Sequence, residues 1–127
     1  IGSFNGSKAV GIEKTGTYVL DISADGSWNV TIEQPRSATV APMPTTLSGV
    51  GQQASQLVSL SSGLVTFTLT HTGSSKFGVW LLDSKGNYVE LLANIIGPFN
   101  GSKAVKIPKA GIYLFDITAD GNWTIQR

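Results

Sequence analysis

Apolar and polar residues alternate with a period of two along much of this chain, and the same alternating block occurs twice. Tyr18, Leu20 and Ile22 fall on one face of an extended segment, with Thr17, Asp21 and Ser23 on the other. Period two with one polar face predicts a half-buried antiparallel strand. Asp25-Gly26 follows, a strong hairpin signal, and Trp28, Val30 and Ile32 then alternate along a further strand. A shorter strand is predicted ahead of these at 8–12, between Asn5-Gly6-Ser7 and Lys14-Thr15-Gly16. The plan returns with Tyr113, Phe115 and Ile117, the turn Asp120-Gly121, then Trp123 and Ile125. Residues 1–28 and 96–123 align without a gap, and 19 of the 28 positions are identical. A self-match of this strength is an internal duplication.

Between the copies, residues 35–49 are rich in Pro, Ser and Thr and read as an extended linker. Some ~14 residues at ~3.1 Å each would reach about 40 Å. Four more strands are predicted after it, at 57–60, 64–71, 77–82 and 88–93. The second of these alternates Val65, Phe67 and Leu69 with Thr66, Thr68 and Thr70. The third is apolar on both faces, as a central strand would be, and the turn at 83–87 pairs it with the fourth. No run carries the 3.6-residue period of a helix. The expectation is an all-β, antiparallel β-sandwich, jelly-roll-like or immunoglobulin-like, of about ten strands. Residues 50–127 would form a complete seven-stranded unit, leaving 1–34 as a surplus half-repeat of three strands.

The residues Gly73-Ser74-Ser75-Lys76-Phe77 through Asn94, then 101–105 and 111–123, resemble an uncharacterised secreted bacterial or archaeal β-sandwich module. That module is itself loosely similar to sandwich domains appended to secreted peptidases. The resemblance covers most of 50–127, with 1–34 matching its second half. It implies an all-β fold and a secreted or cell-surface location, and no chemistry.

A lone three-stranded half cannot bury its own apolar face. Leaving Tyr18, Leu20, Ile22, Trp28, Val30 and Ile32 in water forgoes on the order of 15–25 kcal/mol of burial, at ~25 cal/mol per Å2. That exceeds the ~5–15 kcal/mol net stability of an ordinary domain, so a cover is expected. The two copies would flank the central strands in one larger sandwich, or the half would pair with another chain, or its partner strands belong to sequence outside this stretch. Those six residues are therefore the candidate self-association surface. A homo-oligomer or polymer built by strand sharing between chains is the leading expectation.

Composition narrows the alternatives. Charged residues make up 13% of the chain, about half the ~25% of an ordinary soluble domain, and Gly, Ser and Thr fill 41 positions. The net charge of +1 comes without a basic stripe, which argues against nucleic acid. No apolar run suits a membrane-spanning helix, so no membrane insertion is expected. The chain has no cysteine. It opens on Ile1, as a processed or trimmed chain would. Trp80 falls out of phase with Phe77, Val79 and Leu81, and with Tyr88 it is the candidate for stacking on a glycan, which makes a polysaccharide the alternative partner. Asn5, Asn29, Asn100 and Asn122 begin Asn-x-Ser/Thr sequons, with Asn5 and Asn100 in matching turns. The spacing of Asp21, Asp25, Asp116 and Asp120 lacks a calcium-loop pattern, and Asp25 and Asp120 read as turn residues. His71 is the only histidine and stands without a nucleophile-elbow motif. Neither a catalytic residue nor a cofactor is expected.

Overall fold

The computed structural model describes residues 2–34 and 40–127. Among these there is no helix, and the nine strands lie in two antiparallel sheets. They are β1 (Thr46–Val50), β2 (Gln53–Ala54), β3 (Val58–Leu60), β4 (Gly63–His71), β5 (Lys76–Asp83), β6 (Tyr88–Ile96), β7 (Phe99–Ile107), β8 (Gly111–Thr118) and β9 (Asn122–Gln126). One sheet runs β1-β9-β4-β7; the other runs β2-β8-β5-β6, with β3 also paired to β8. The alternating segments at 64–71 and 111–118 lie where their pattern puts them. Phe67 and Leu69 of β4 and Tyr113, Phe115 and Ile117 of β8 are buried, and Phe67 meets Phe115 edge-on, with ring centroids 5.5 Å apart. One apolar cluster draws on both sheets.

The strand inventory differs from expectation at both ends. No strand forms anywhere in residues 2–34, where three were expected, so the count is nine and every strand falls between 46 and 126. The pairing of the second copy supplies the reason. β7 bonds to β4, β8 bonds to β2, β3 and β5, and β9 bonds to β1 and β4. The three strands of a copy never bond to one another. The chain crosses from one sheet to the other after β7 and again after β8, so Asp120-Gly121 is an arch between sheets and not a hairpin turn. A copy without the strands of 46–96 has no partner for its backbone groups.

The linker also ends earlier than its composition suggests. Residues 35–39 lie outside the described residues. Beyond them Pro42 bridges Ser59, Met43 is buried, and 46–50 is β1. β1 pairs along its whole length with β9, from Thr46 against Gln126 to Val50 against Asn122. Gly49 stands opposite Trp123, whose ring lies where a Cβ at position 49 would sit. The indole Nε1–H of Trp123 donates to Gly51 O at 3.1 Å. The chain closes on itself here: Arg127 N donates to Thr45 O at 3.1 Å and Arg127 Nε to Met43 O at 2.9 Å.

Candidate functional site

The N-terminal arm, residues 2–34, is the longest stretch without strand partners among the described residues. Ten of its large apolar side chains are exposed: Phe4, Val10, Ile12, Tyr18, Val19, Leu20, Ile22, Trp28, Val30 and Ile32. All six candidate self-association residues are in that set, and Trp28 is 60% exposed where its twin Trp123 is 3% exposed. Position by position the correspondence continues. Val10, Ile12, Tyr18, Leu20, Ile22, Trp28 and Val30 match Val105, Ile107, Tyr113, Phe115, Ile117, Trp123 and Ile125, and every one of the latter is buried. Phe4 matches Phe99, which packs against the core. Only Val19 and Ile32 lack a core twin. The arm thus carries a full set of core residues with no core around them.

Local structure is repeated too. Tyr113 Oη donates to Lys109 O at 2.7 Å, and Tyr18 Oη donates to Lys14 O, the same four-residue reach backwards. Such a tyrosine corner needs only its own turn and forms without strand partners.

The arm touches the body through a short stretch. Ser7 N donates to Gln52 O at 3.0 Å and Ser7 Oγ accepts from Ala54 N at 2.7 Å. Lys8 Nζ reaches Asp116 Oδ2 at 2.9 Å, and Ala9 N lies 3.4 Å from Asp116 Oδ1. Asp116 sits among inward-facing neighbours of β8 but points the other way, and it is only 4% exposed. Its hydrogen bond holds the Lys8 ammonium above the usual lysine range, against a smaller opposing effect of burial. Around it, Lys8, Ala9, Val10, Gly11 and Glu13 with Lys85, Gly86, Asn87 and Tyr88 enclose a shallow groove of about 330 Å3.

Trp80 and Tyr88, the candidate glycan-stacking pair, are brought together on the outer side of the second sheet. Their ring centroids are 4.7 Å apart at an interplanar angle of 55°, and both rings are partly open to solvent. They flank each other and do not form a flat platform. The four sequon asparagines are all exposed. Asn5 and Asn29 belong to the arm, Asn100 lies within β7 and Asn122 opens β9, so Asn100 occupies a strand and not the turn expected of it.

His71 and Asp120, weighed for chemistry, have structural partners. His71 is buried, stacked on Phe77 at 4.6 Å, and its Nδ1–H donates to Gly97 O at 2.8 Å. Nε2 lies 3.2 Å from Asp120 Oδ1 but out of line for a hydrogen bond. The other Asp120 oxygen accepts from Ser74 N at 3.1 Å and Ser75 N at 2.9 Å, pinning the β4–β5 connection to the β8–β9 arch. Desolvation would raise the Asp120 carboxyl, but these amide donors and nearby His71 outweigh it and hold it below the usual carboxylate range. Among the described residues no group of three or more His, Asp or Glu side chains is arranged to hold a metal.

Sequence periodicity pointed to the arm's apolar set. It gave no sign of Lys8, Asp116 or Ser7, because a single ion pair across 108 positions leaves no local pattern. Comparison with protein-family models gives no match, and comparison with curated proteins gives none either.

Proposed function

We propose that the chain is a non-catalytic, extracellular structural subunit, built as a β-sandwich, that self-associates through its N-terminal arm and polymerises when arms engage neighbouring molecules. The observation that carries this reading is the arm itself: eight apolar side chains that match core positions, held in solvent by a few polar contacts. Exposed apolar surface on this scale marks an interaction site in a soluble protein. The low charge content and the Gly, Ser and Thr richness fit a secreted or cell-surface setting, as does the resemblance to secreted sandwich modules. The test is the mass of the particle. The 127-residue chain, measured by light scattering and negative-stain microscopy across a concentration series, should form oligomers or filaments. Leu20→Ser with Trp28→Ser should leave a monomer. A 127-residue chain that stays monomeric at every concentration overturns the reading.

A second reading rests on Trp80 and Tyr88, as a surface that binds polysaccharide. Binding to a glycan array, lost in Trp80→Ala with the fold intact, would support it.

A further inference from the structure

The partner the arm needs can be specified from the bonding of its twin. The strands of 97–127 are threaded through both sheets: β9 lies between β1 and β4, and β8 lies between β5 and the β2–β3 edge. Take them away and residues 46–96 keep a single strand pair, β5 with β6. The body of 46–96 therefore needs a closing half, and the chain carries two such halves, one on each side of it.

We infer that the arm is a second closing half for the chain's own body, so that residues 4–32 and 99–127 are alternative occupants of one set of strand positions. Three observations carry this. The first is the side-chain match: each buried apolar position of β7, β8 and β9 has an apolar twin in the arm, smaller only at Leu20 for Phe115 and Val30 for Ile125. The second is the path of the chain. Arg127, at the end of β9, is bonded to Thr45 at the start of β1. Ile32 is the twin of Arg127, so an arm seated in place of 99–127 would end beside Thr45, with twelve residues of chain available to join the two ends. Closing a loop of that length is inexpensive, because the cost grows only with the logarithm of length. The result is the same two-sheet body in circularly permuted order. The third is that the polar fittings are duplicated. Asp25 replaces Asp120 at the cap of 73–75, and Tyr18 brings its corner already formed. Even the docking pair has a counterpart, since Lys103 and Asp21 are the twins of Lys8 and Asp116.

One body and two halves leave one half over in every arrangement. Exchange between molecules does not alter that ratio, so for every body one half stays outside a body, whichever one it is. This inference shares the arm with the proposed self-association but not the assembly step, and its test is run on monomer.

The test uses the full chain at a concentration where light scattering shows monomer, read by hydrogen exchange and near-ultraviolet circular dichroism. Phe115→Asp with Ile117→Asp disables the C-terminal half. The chain should keep a cooperative unfolding transition, while protection leaves 111–126 and appears over 16–31, slowing exchange there at least about a hundredfold over an unstructured chain. Adding Leu20→Asp and Ile22→Asp should abolish the transition. In a chain with an intact C-terminal half, Leu20→Phe with Val30→Ile gives both halves the same core residues, and partial protection should then appear over 16–31. A double-aspartate chain that unfolds, or one that keeps its protection on 111–126, overturns the inference. So does the Leu20→Phe, Val30→Ile chain if its arm exchanges like an unstructured peptide. A wild-type protein that never assembles would defeat the proposed function and leave this result untouched.

Discussion

At the scale of single residues, identical side chains do different work in the two copies. Tyr113 is buried and its hydroxyl donates to Lys109 O, while Tyr18 makes the same bond in solvent. Tyr113→Phe should cost about 1 kcal/mol of stability, the typical worth of one such hydrogen bond, and Tyr18→Phe should leave the thermal midpoint unchanged. Differential scanning calorimetry distinguishes them. Asp120 sets an acid limit on the fold. Its folded carboxyl titrates below its unfolded value, so its contribution is fully present above the unfolded value near pH ~4 and is lost as pH falls through the lower folded one. Asp120→Asn removes that contribution, so the stability difference between variant and wild type should shrink between pH 5 and pH 2, as followed by denaturant titration.

At the scale of elements, one side chain links an edge of each sheet. β6 and β7 are both edge strands, and Lys103 of β7 reaches across to β6, donating to Leu91 O at 2.9 Å with Glu90 Oε1 at 3.2 Å. A lysine at such an edge discourages another strand from adding there. Lys103→Val should increase concentration-dependent aggregation, measured by static light scattering, and Lys103→Arg should not.

Elements were also where sequence reading succeeded and failed for identifiable reasons. The segment with a clean period of two, 64–71, is β4 within a residue because one buried face dictates the pattern, and the segment apolar on both faces, 77–82, is β5 within a residue because it lies between β8 and β6. β2 spans two residues and β1 reads as Thr-Leu-Ser-Gly-Val after a proline-rich run, too little for periodicity to register. Asp120-Gly121 carries the signature of a tight turn, and a tight turn serves an arch as well as a hairpin. Residue types alone do not say whether the next strand returns to the same sheet. That missing distinction is why 1–34 reads as three strands joined by hairpins that need a cover only for their apolar face, while the pairing of the twin shows strands that never bond to one another. Of the candidate site, the apolar set was legible because solvent exposure leaves the duplicated pattern intact, whereas the contacts that hold the arm to the body were not.

For the whole molecule, the arm contributes little to the stability of the body it rests on. Its ion pair is half exposed at Lys8, and pairs of that kind are worth about 0–1 kcal/mol. Removing the arm also lets water reach Asp116, so the carboxylate is not left dry. Deleting residues 1–34 should therefore shift unfolding by less than about 1 kcal/mol in a urea titration while eliminating assembly. A large loss of stability would instead mean that the arm is part of the fold.

The threading of β8 and β9 through both sheets has a consequence for how the protein is made. A ribosome delivers the chain from the N-terminus, so residues 46–96 are complete while 97–127 are still being added. At that moment only the β5–β6 hairpin has a partner within the body, and the arm has already emerged. The first half the nascent chain meets is thus the N-terminal one, and the C-terminal half arrives as its competitor.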